Sequence, residues 1–245
     1  FSDDLACQVN VQDVAPVPPS IVATAGSGVY CFGDLINDIT VDVTGTGPFT
    51  IDYTLDGVPM QMTSPTSPVN LGNVPGVYDV TGISDSSCSN TGNFTETIIE
   101  QSVPTVASVE NGGIYCANEF VNDVFVVVTG TGPFDLSYDL DGNPQTINSI
   151  NDTIVLGNTP GTYTVTQITD VACSNAAAGS QTITVNPLPP VFAGNDITLC
   201  DGENYTQLAT GAQTYVWDNG TPNGGTITPA ATATYTVTGT DANGC

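Results

Sequence analysis

Two stretches of this chain are copies of one another. Tyr30-Cys31 returns as Tyr115-Cys116, the GTGPF of Gly45 to Phe49 as Gly130 to Phe134, Leu55-Asp56-Gly57 as Leu140-Asp141-Gly142, and Cys88-Ser89-Asn90 as Cys173-Ser174-Asn175. Every pair is 85 positions apart (115 − 30 for the tyrosines). A constant offset without gaps means that one folded unit is used twice. A third, shorter unit follows the prolines Pro187, Pro189 and Pro190, with 45 positions from Cys200 to Cys245 against 57 from Cys31 to Cys88 (88 − 31). It keeps the late signature, since Tyr78, Tyr163 and Tyr235 each stand ten positions before a cysteine (245 − 235 in the last). The opening residues resemble the end of yet another unit, because Asp4 precedes Cys7 by three positions, as Asp85 precedes Cys88 and Asp170 precedes Cys173. The expected organisation is therefore a tail over 1–15, a first module over 16–103, a second over 104–187, and a shorter third over 188–245 that lacks its last strand.

Within a unit the patterning is that of β-structure. Ile39, Val41 and Val43 alternate with Thr40, Asp42 and Thr44, and after the GTGP turn Phe49, Ile51, Tyr53 and Leu55 repeat the alternation. A two-residue period puts one side chain of each pair on a buried face. Asp56-Gly57 and Asp141-Gly142 have the composition of a tight hairpin turn,. No stretch sustains a helical period. About seven short strands per unit, with turn signals every eight to twelve residues, predict an all-β chain of tandem immunoglobulin-like β-sandwich modules in an extended rod. Tyr78 and Tyr163, near the start of the penultimate strand, are candidates for a tyrosine corner, with the ring in the core and the hydroxyl bonded back to the loop,.

Seven cysteines recur at regular places, with no CxxC pair and no histidine to suggest zinc or redox chemistry,. They read as structural disulfides, which implies an oxidising, extracytoplasmic compartment. Two per unit favour intradomain bonds, Cys31 with Cys88, Cys116 with Cys173 and Cys200 with Cys245, while Cys7 pairs outside the window. Each such bond is worth about 3–4 kcal/mol in the chain-entropy model. The expected topology also raises a second order. A cysteine before the second strand and one after the sixth lie at opposite ends of a sandwich, whereas a disulfide needs Cα atoms within about 7 Å. Pairing between neighbours, Cys31 with Cys173 and Cys116 with Cys245, meets that requirement, and both orders stay open.

The charge balance excludes most chemistry. The chain has no Lys, Arg or His against 25 Asp and Glu, a formal charge of −25. Nothing cationic is present to neutralise phosphate, which excludes nucleic acid and anionic membrane as partners. Without histidine, and with no positive group to separate the pKa values of paired carboxylates, an enzyme is not expected and no catalytic residue is assigned. No run of about twenty apolar residues predicts a membrane span.

Several acids recur between the repeats: Asp34 with Glu119, Asp38 with Asp123, and Asp85 with Asp170. Calcium held by loop oxygens is one reading and a solvated acidic surface is the other. Asp139, Asp141 and Asn143 resemble half of a calcium loop, although the first repeat lacks the first acid; no cofactor other than calcium is expected. Asn93, Asn151, Asn204 and Asn219 stand in N-x-[ST] triplets. Trp217, beside Asp218-Asn219-Gly220, is the one aromatic candidate for a glycan-binding loop, with a core tryptophan as the competing assignment,.

The third unit, with AGNDITLC (193–200), TYVWDNG (214–220) and PAATATYTVTGTDANGC (229–245), resembles the immunoglobulin- or PKD-like repeats of giant surface proteins of Bacteroidota exported by type IX secretion, of the gliding-adhesin type. The first two units match more loosely, through YC, GTGPF and the late cysteine. Asp152-Thr153-Ile154 resembles the O-glycosylation motif of that group and makes Thr153 a candidate glycan site. The resemblance implies a structural repeat segment of an extracellular bacterial surface adhesin or filament, a stiff, acidic, protease-resistant spacer whose partners are neighbouring modules. Alternatives are a calcium-dependent or glycan-binding module that meets surface glycans or other cells, and a filament subunit that donates Cys7 to Val14 as a strand to a neighbouring third unit.

Overall fold

The computed structural model describes residues 16–245. The expected tail over 1–15, Cys7 and the proposed donor strand lie outside the described residues. The chain divides into two compact units, the first ending at Val103 and the second running Pro104–Cys245.

In the first unit the strands are β1 (Ser20–Ala25), β2 (Gly28–Cys31), β3 (Ile39–Thr44), β4 (Phe49–Leu55), β5 (Val58–Ser64), β6 (Val69–Gly72), β7 (Gly76–Ser84) and β8 (Ser89–Gln101). They form a three-stranded sheet, β1-β3-β6, and a five-stranded sheet, β2-β8-β7-β4-β5. Alternation decides which side chains meet between the sheets. Ile39, Val41 and Val43 of β3 pack with Phe49, Ile51 and Tyr53 of β4 and Tyr78, Val80 and Ile83 of β7. Each fully buried aliphatic side chain here contributes about 1.5–3 kcal/mol. Asp56 and Gly57 both take positive φ, 51° and 78°, the conformation of a two-residue hairpin turn of type I′,.

The second unit repeats the pattern in β9 (Thr105–Glu110), β10 (Gly113–Cys116), β11 (Val124–Thr129), β12 (Phe134–Leu140), β13 (Asn143–Ser149), β14 (Thr153–Gly157), β15 (Gly161–Thr169), β16 (Ser174–Ala176) and β17 (Ser180–Asn186). The sheets are β14-β11-β9 and β10-β17-β15-β12-β13, with β16 paired to β15. Its core is built from Val126, Val128, Phe134, Leu136, Ile154, Val165 and Ile168. The same unit continues into β18 (Tyr205–Gln207), β19 (Thr214–Trp217), β20 (Gly225–Ile227) and β21 (Val237–Thr240). These form two two-stranded sheets, β18-β20 and β19-β21. Among the described residues there is no helix, and so none long and apolar enough to cross a membrane.

One departure from the expected seven strands controls the cysteines. The first strand of each repeat breaks in two and changes sheets: β1 pairs antiparallel with β3, while β2 pairs parallel with β8. The break falls at Gly26 in one repeat and Asn111 in the other, both in the left-handed region (φ 104° and 70°). Glycine takes that conformation freely and asparagine tolerates it. The parallel pairing sets Cys31 opposite Gln101, at the far end of β8 from Cys88. Thirteen residues of β8 lie between those ends, roughly 40 Å at the rise of an extended strand,. An intradomain bond between Cys31 and Cys88 is therefore out of reach. The same register, Cys116 opposite Asn186, separates Cys116 from Cys173.

Candidate functional site

The cysteines stand in two kinds of turn, and acids shape both. Cys31 and Cys116 end the strands β2 and β10, which pair with β8 and β17, while Cys200 lies outside any strand. Cys31, Cys116 and Cys200 each open a C-x-x-[DE] turn in which the cysteine N–H donates to the acid's carboxylate: to Asp34 Oδ2 at 3.3 Å, Glu119 Oε2 at 2.8 Å and Glu203 Oε2 at 2.8 Å. In return the acid's own N–H donates to the cysteine carbonyl, at 2.9, 3.1 and 3.0 Å. Local bonds of this kind hold the chain in a turn where strand pairing stops.

Late cysteines sit in the loops after β7, β15 and β21, and the arrangement is reversed. The N–H of Cys88 donates to Asp85 Oδ1 at 2.8 Å, that of Cys173 to Asp170 Oδ1 at 2.8 Å, and that of Cys245 to Asp241 Oδ1 at 2.9 Å. The aspartate N–H donates back to the cysteine carbonyl at 2.9, 2.8 and 2.8 Å. The second carboxylate oxygen of Asp85 and of Asp170 reaches across to the GTGPF turn, accepting from Thr46 N at 3.4 Å and Thr131 N at 3.3 Å. Gly45 and Gly130 leave room for this, since a Cβ there would lie 2.9 Å from Asp85 Oδ2 and 3.0 Å from Asp170 Oδ2. The recurring GTGPF and the recurring aspartate are thus two halves of one contact.

These backbone donors favour the charged form. The N–H groups of Ser87 and Cys88 hold the Asp85 carboxyl below its ordinary value, and the Cys245 N–H, followed by that of Asn243, does so for Asp241,. Burial raises Asp170, but the N–H groups of Cys173, Ala172 and Thr131 together outweigh it and the net shift is downward.

The sulfur chemistry follows the spacing between turns. Cys116 is bonded to Cys245, with Cα atoms 5.5 Å apart across 129 positions, so an early cysteine of the second repeat meets the late cysteine of the region after it. Cys31 and Cys173 are each oxidised in a disulfide. Cys88 and Cys200 are thiols, the first half-buried and the second exposed. The intradomain order Cys31–Cys88, Cys116–Cys173 and Cys200–Cys245 is accordingly not the one formed: strand length separates the first two pairs, and in the third Cys245 is taken by Cys116.

A second family of acids ties strand to strand. The Asp56 carboxylate accepts from Val77 N at 2.9 Å, Asp141 from Thr162 N at 2.8 Å and Asp218 from Thr236 N at 3.0 Å. Each pins the end of one central strand to the start of its neighbour. Asp141 is therefore engaged in the frame, and Asn143 donates its amide to the Leu140 carbonyl at 3.1 Å. Among the described residues no three His, Cys, Asp or Glu side chains gather to hold a metal ion.

The tyrosine corners are in place. Tyr78 donates its hydroxyl to Val74 O at 2.9 Å and Tyr163 to Thr159 O at 3.0 Å, each with its ring 1 % exposed. Trp217 is a core residue, 4 % exposed, with its indole N–H directed to Asn223 Oδ1 at 3.3 Å. It lines a cleft with Tyr205, Gln207 and Tyr235. Gln207 is fully buried there, and its Nε2 has no acceptor among the described residues. Thr153, Asn93, Asn151, Asn204 and Asn219 are all exposed.

Comparison with known proteins agrees with this frame. The model of the family described as nucleoporin pom152-like, ninth immunoglobulin-like domain, matches residues 19–98 and again 104–184. Among solved structures, an I-band fragment of titin aligns with a TM-score of 0.54 at 15% identity, covering 82% of this chain and 78% of that one. A Glu-to-Ala variant of a three-domain titin fragment gives 0.52 at 15% identity, with the same coverage. A bacterial ice-binding adhesin aligns at 0.38 and 16% identity, over 94% of this chain and 85% of that one. No curated protein sequence matches the chain.

Proposed function

The chain belongs to the nucleoporin pom152-like ninth immunoglobulin-like domain family, carrying two copies in tandem, and on that premise we propose that it is a non-enzymatic structural segment of an extracellular bacterial surface adhesin or filament. Its task is to space binding chemistry placed elsewhere, as modules that each bury their own core do. The observation that carries this reading is the bond from Cys116 to Cys245, which fastens the second repeat to the region after it and requires an oxidising compartment,.

Composition supports it. A chain of 25 acids with no cation repels itself and stays dispersed, and it offers trypsin-like proteases no side chain to recognise,. The acids nearest the cysteines and at the strand ends serve backbone donors, which favours a frame over a cation site. Burial of Trp217 favours a spacer over a glycan reader. Thr153, exposed at the start of the edge strand β14, is the position we assign to an O-glycan. The Bacteroidota type IX route is part of the same reading and rests on the third-unit motifs.

Antibody raised against the full chain should label intact, unpermeabilised cells of the producing bacterium. The purified chain should leave a glycan array blank in calcium and in EDTA. Labelling that needs permeabilisation would remove the surface location, and a reproducible glycan signal would replace the spacer with a binding module.

A further inference from the structure

The cysteine turns follow a rule that reaches past the bonds already closed. An early turn of one module is bonded to the late turn of the next, as Cys116 is to Cys245. Under that rule Cys200, the early cysteine of the third region, takes the late cysteine of a following module, and Cys88, the late cysteine of the first repeat, takes the early cysteine of a preceding one. These are the two thiols left over among the described residues.

What marks them is the state of their repeat counterparts. Cys116 stands in the same turn as Cys200, with the same 2.8 Å bond from cysteine N–H to glutamate, and it is oxidised. Cys173 stands in the same D-x-x-C turn as Cys88, with a cysteine N–H bond to aspartate of 2.8 Å, and Cys245 stands in a turn one residue longer with the same kind of bond at 2.9 Å; both are oxidised. The turns around the two thiols already have the shape of the bonded ones. An early thiol and a late thiol are complementary, so the molecule carries both halves of one further joint.

We infer that Cys200 and Cys88 are the two ends of a covalent ladder, and that Cys200 of one copy of this chain forms a disulfide with Cys88 of the next. The partner is recognised by its chemistry, a D-x-x-C turn on an immunoglobulin-like module, and a second copy supplies it. The step needs an oxidant, for which a small-molecule disulfide such as oxidised glutathione suffices. The Cys200 thiolate attacks that disulfide and releases one glutathione thiol. The Cys88 thiolate of the second copy then displaces the other, so two protein thiols are oxidised while one disulfide becomes two thiols that take up both protons. This rests on the extracytoplasmic reading above, because only there does the product persist.

The test uses the full chain carrying Cys7→Ser, which removes the seventh cysteine from the readout. Incubated with oxidised glutathione and run without reductant, it should give a ladder of dimers and higher multiples that collapses in dithiothreitol. Combined Asp-N and Glu-C digestion, which separates Cys88 from Cys31 and Cys200 from Cys173, should yield a cross-linked pair of peptides containing Cys88 and Cys200. In the same background, Cys88→Ser alone and Cys200→Ser alone should each stay monomeric, while their mixture should stop at dimer. Dimers from either single variant, which need like-with-like bonds, would overturn the rule. So would a Cys88–Cys200 link formed within one chain at high dilution, or no multimer at any concentration. Each of those failures leaves the spacer reading standing, since that is tested by surface labelling and glycan binding.

Discussion

The second repeat and the region after it use the same skeleton with different amounts of sandwich. In the repeat, a three-stranded sheet faces a six-stranded one across a core of valine, isoleucine, leucine and phenylalanine. After Asn186 the four strands are of three or four residues each, and the buried side chains are Ala209, Trp217 and Gln207. Yet the acids recur without change of role. Asp218 repeats the strand pin of Asp141, Glu203 repeats the early turn of Glu119, and Asp241 repeats the cysteine cap of Asp170 in a turn one residue longer. One difference is instructive: Asp170 spends its second oxygen on the GTGPF turn, whereas Asp241 turns its own toward Asn243 Nδ2 at 3.3 Å. The polar pins set the frame of a module, and the alternating hydrophobic strands set how much of that frame is filled.

The largest test of this contrast is to cut the bond that joins the two. A loop of 129 positions is worth about 5 kcal/mol in the chain-entropy model,. Cys116→Ser should therefore lower the melting transition of residues 188–245 by many degrees and leave the two repeats near their original temperature, read by calorimetry or by tryptophan fluorescence from Trp217. An unchanged transition would mean that the short strands carry this region without the bond.

Next come the strand pins. Asp141→Ala and Asp218→Ala each remove one acceptor from a backbone N–H, a loss of about 1 kcal/mol for groups near water. The absolute losses in urea unfolding should match. As a share of stability, the loss should be much larger in the third region, which has less core to spare. A negligible effect at Asp218 would show that its frame is set by hydrophobic contact instead.

How much of this was legible in the sequence follows from what each feature needs. Alternation along Ile39 to Val43 and Phe49 to Tyr53 names a buried face directly, and Asp56-Gly57 names its turn, because both depend only on near neighbours. The corner of Tyr78 was equally visible, its acceptor lying four residues away. The order of the disulfides was not. It depends on β2 lying parallel to β8, and SIVATAGSGVYC gives no sign that the strand changes sheets at Gly26. The recurring acids were visible as a pattern, but whether a carboxylate faces solvent, a cation or a backbone N–H depends on turn conformation. C-x-x-[DE] and D-x-x-C, taken together as mirror images, were the signal available in the spacing.

The smallest expected effect separates the late turns from the rest of the acidic surface. A carboxyl whose folded value is lowered contributes stability that is complete above its ordinary value of 3.8 and drains away as the pH falls through the folded value,. Protonation of the other acids relieves self-repulsion at the same time, so the global transition is a poor reporter. Carboxyl-carbon NMR is a direct one: Asp85, Asp170 and Asp241 should titrate below 3.8, and the amide signals of Cys88, Cys173 and Cys245 should move with them. Midpoints at or above 3.8 would mean that these turns are open in solution.

The parallel pairing of β2 with β8 has a mechanical consequence. Gly28 to Cys31 run beside Ile98 to Gln101, and Gly113 to Cys116 beside Ile183 to Asn186, so the entering and leaving strands of each module point the same way. Tension applied at a module's two ends therefore drags these strands past one another along their length. Their ladder bonds must then yield together in shear rather than peel apart one by one, which suits a tether that has to bear load.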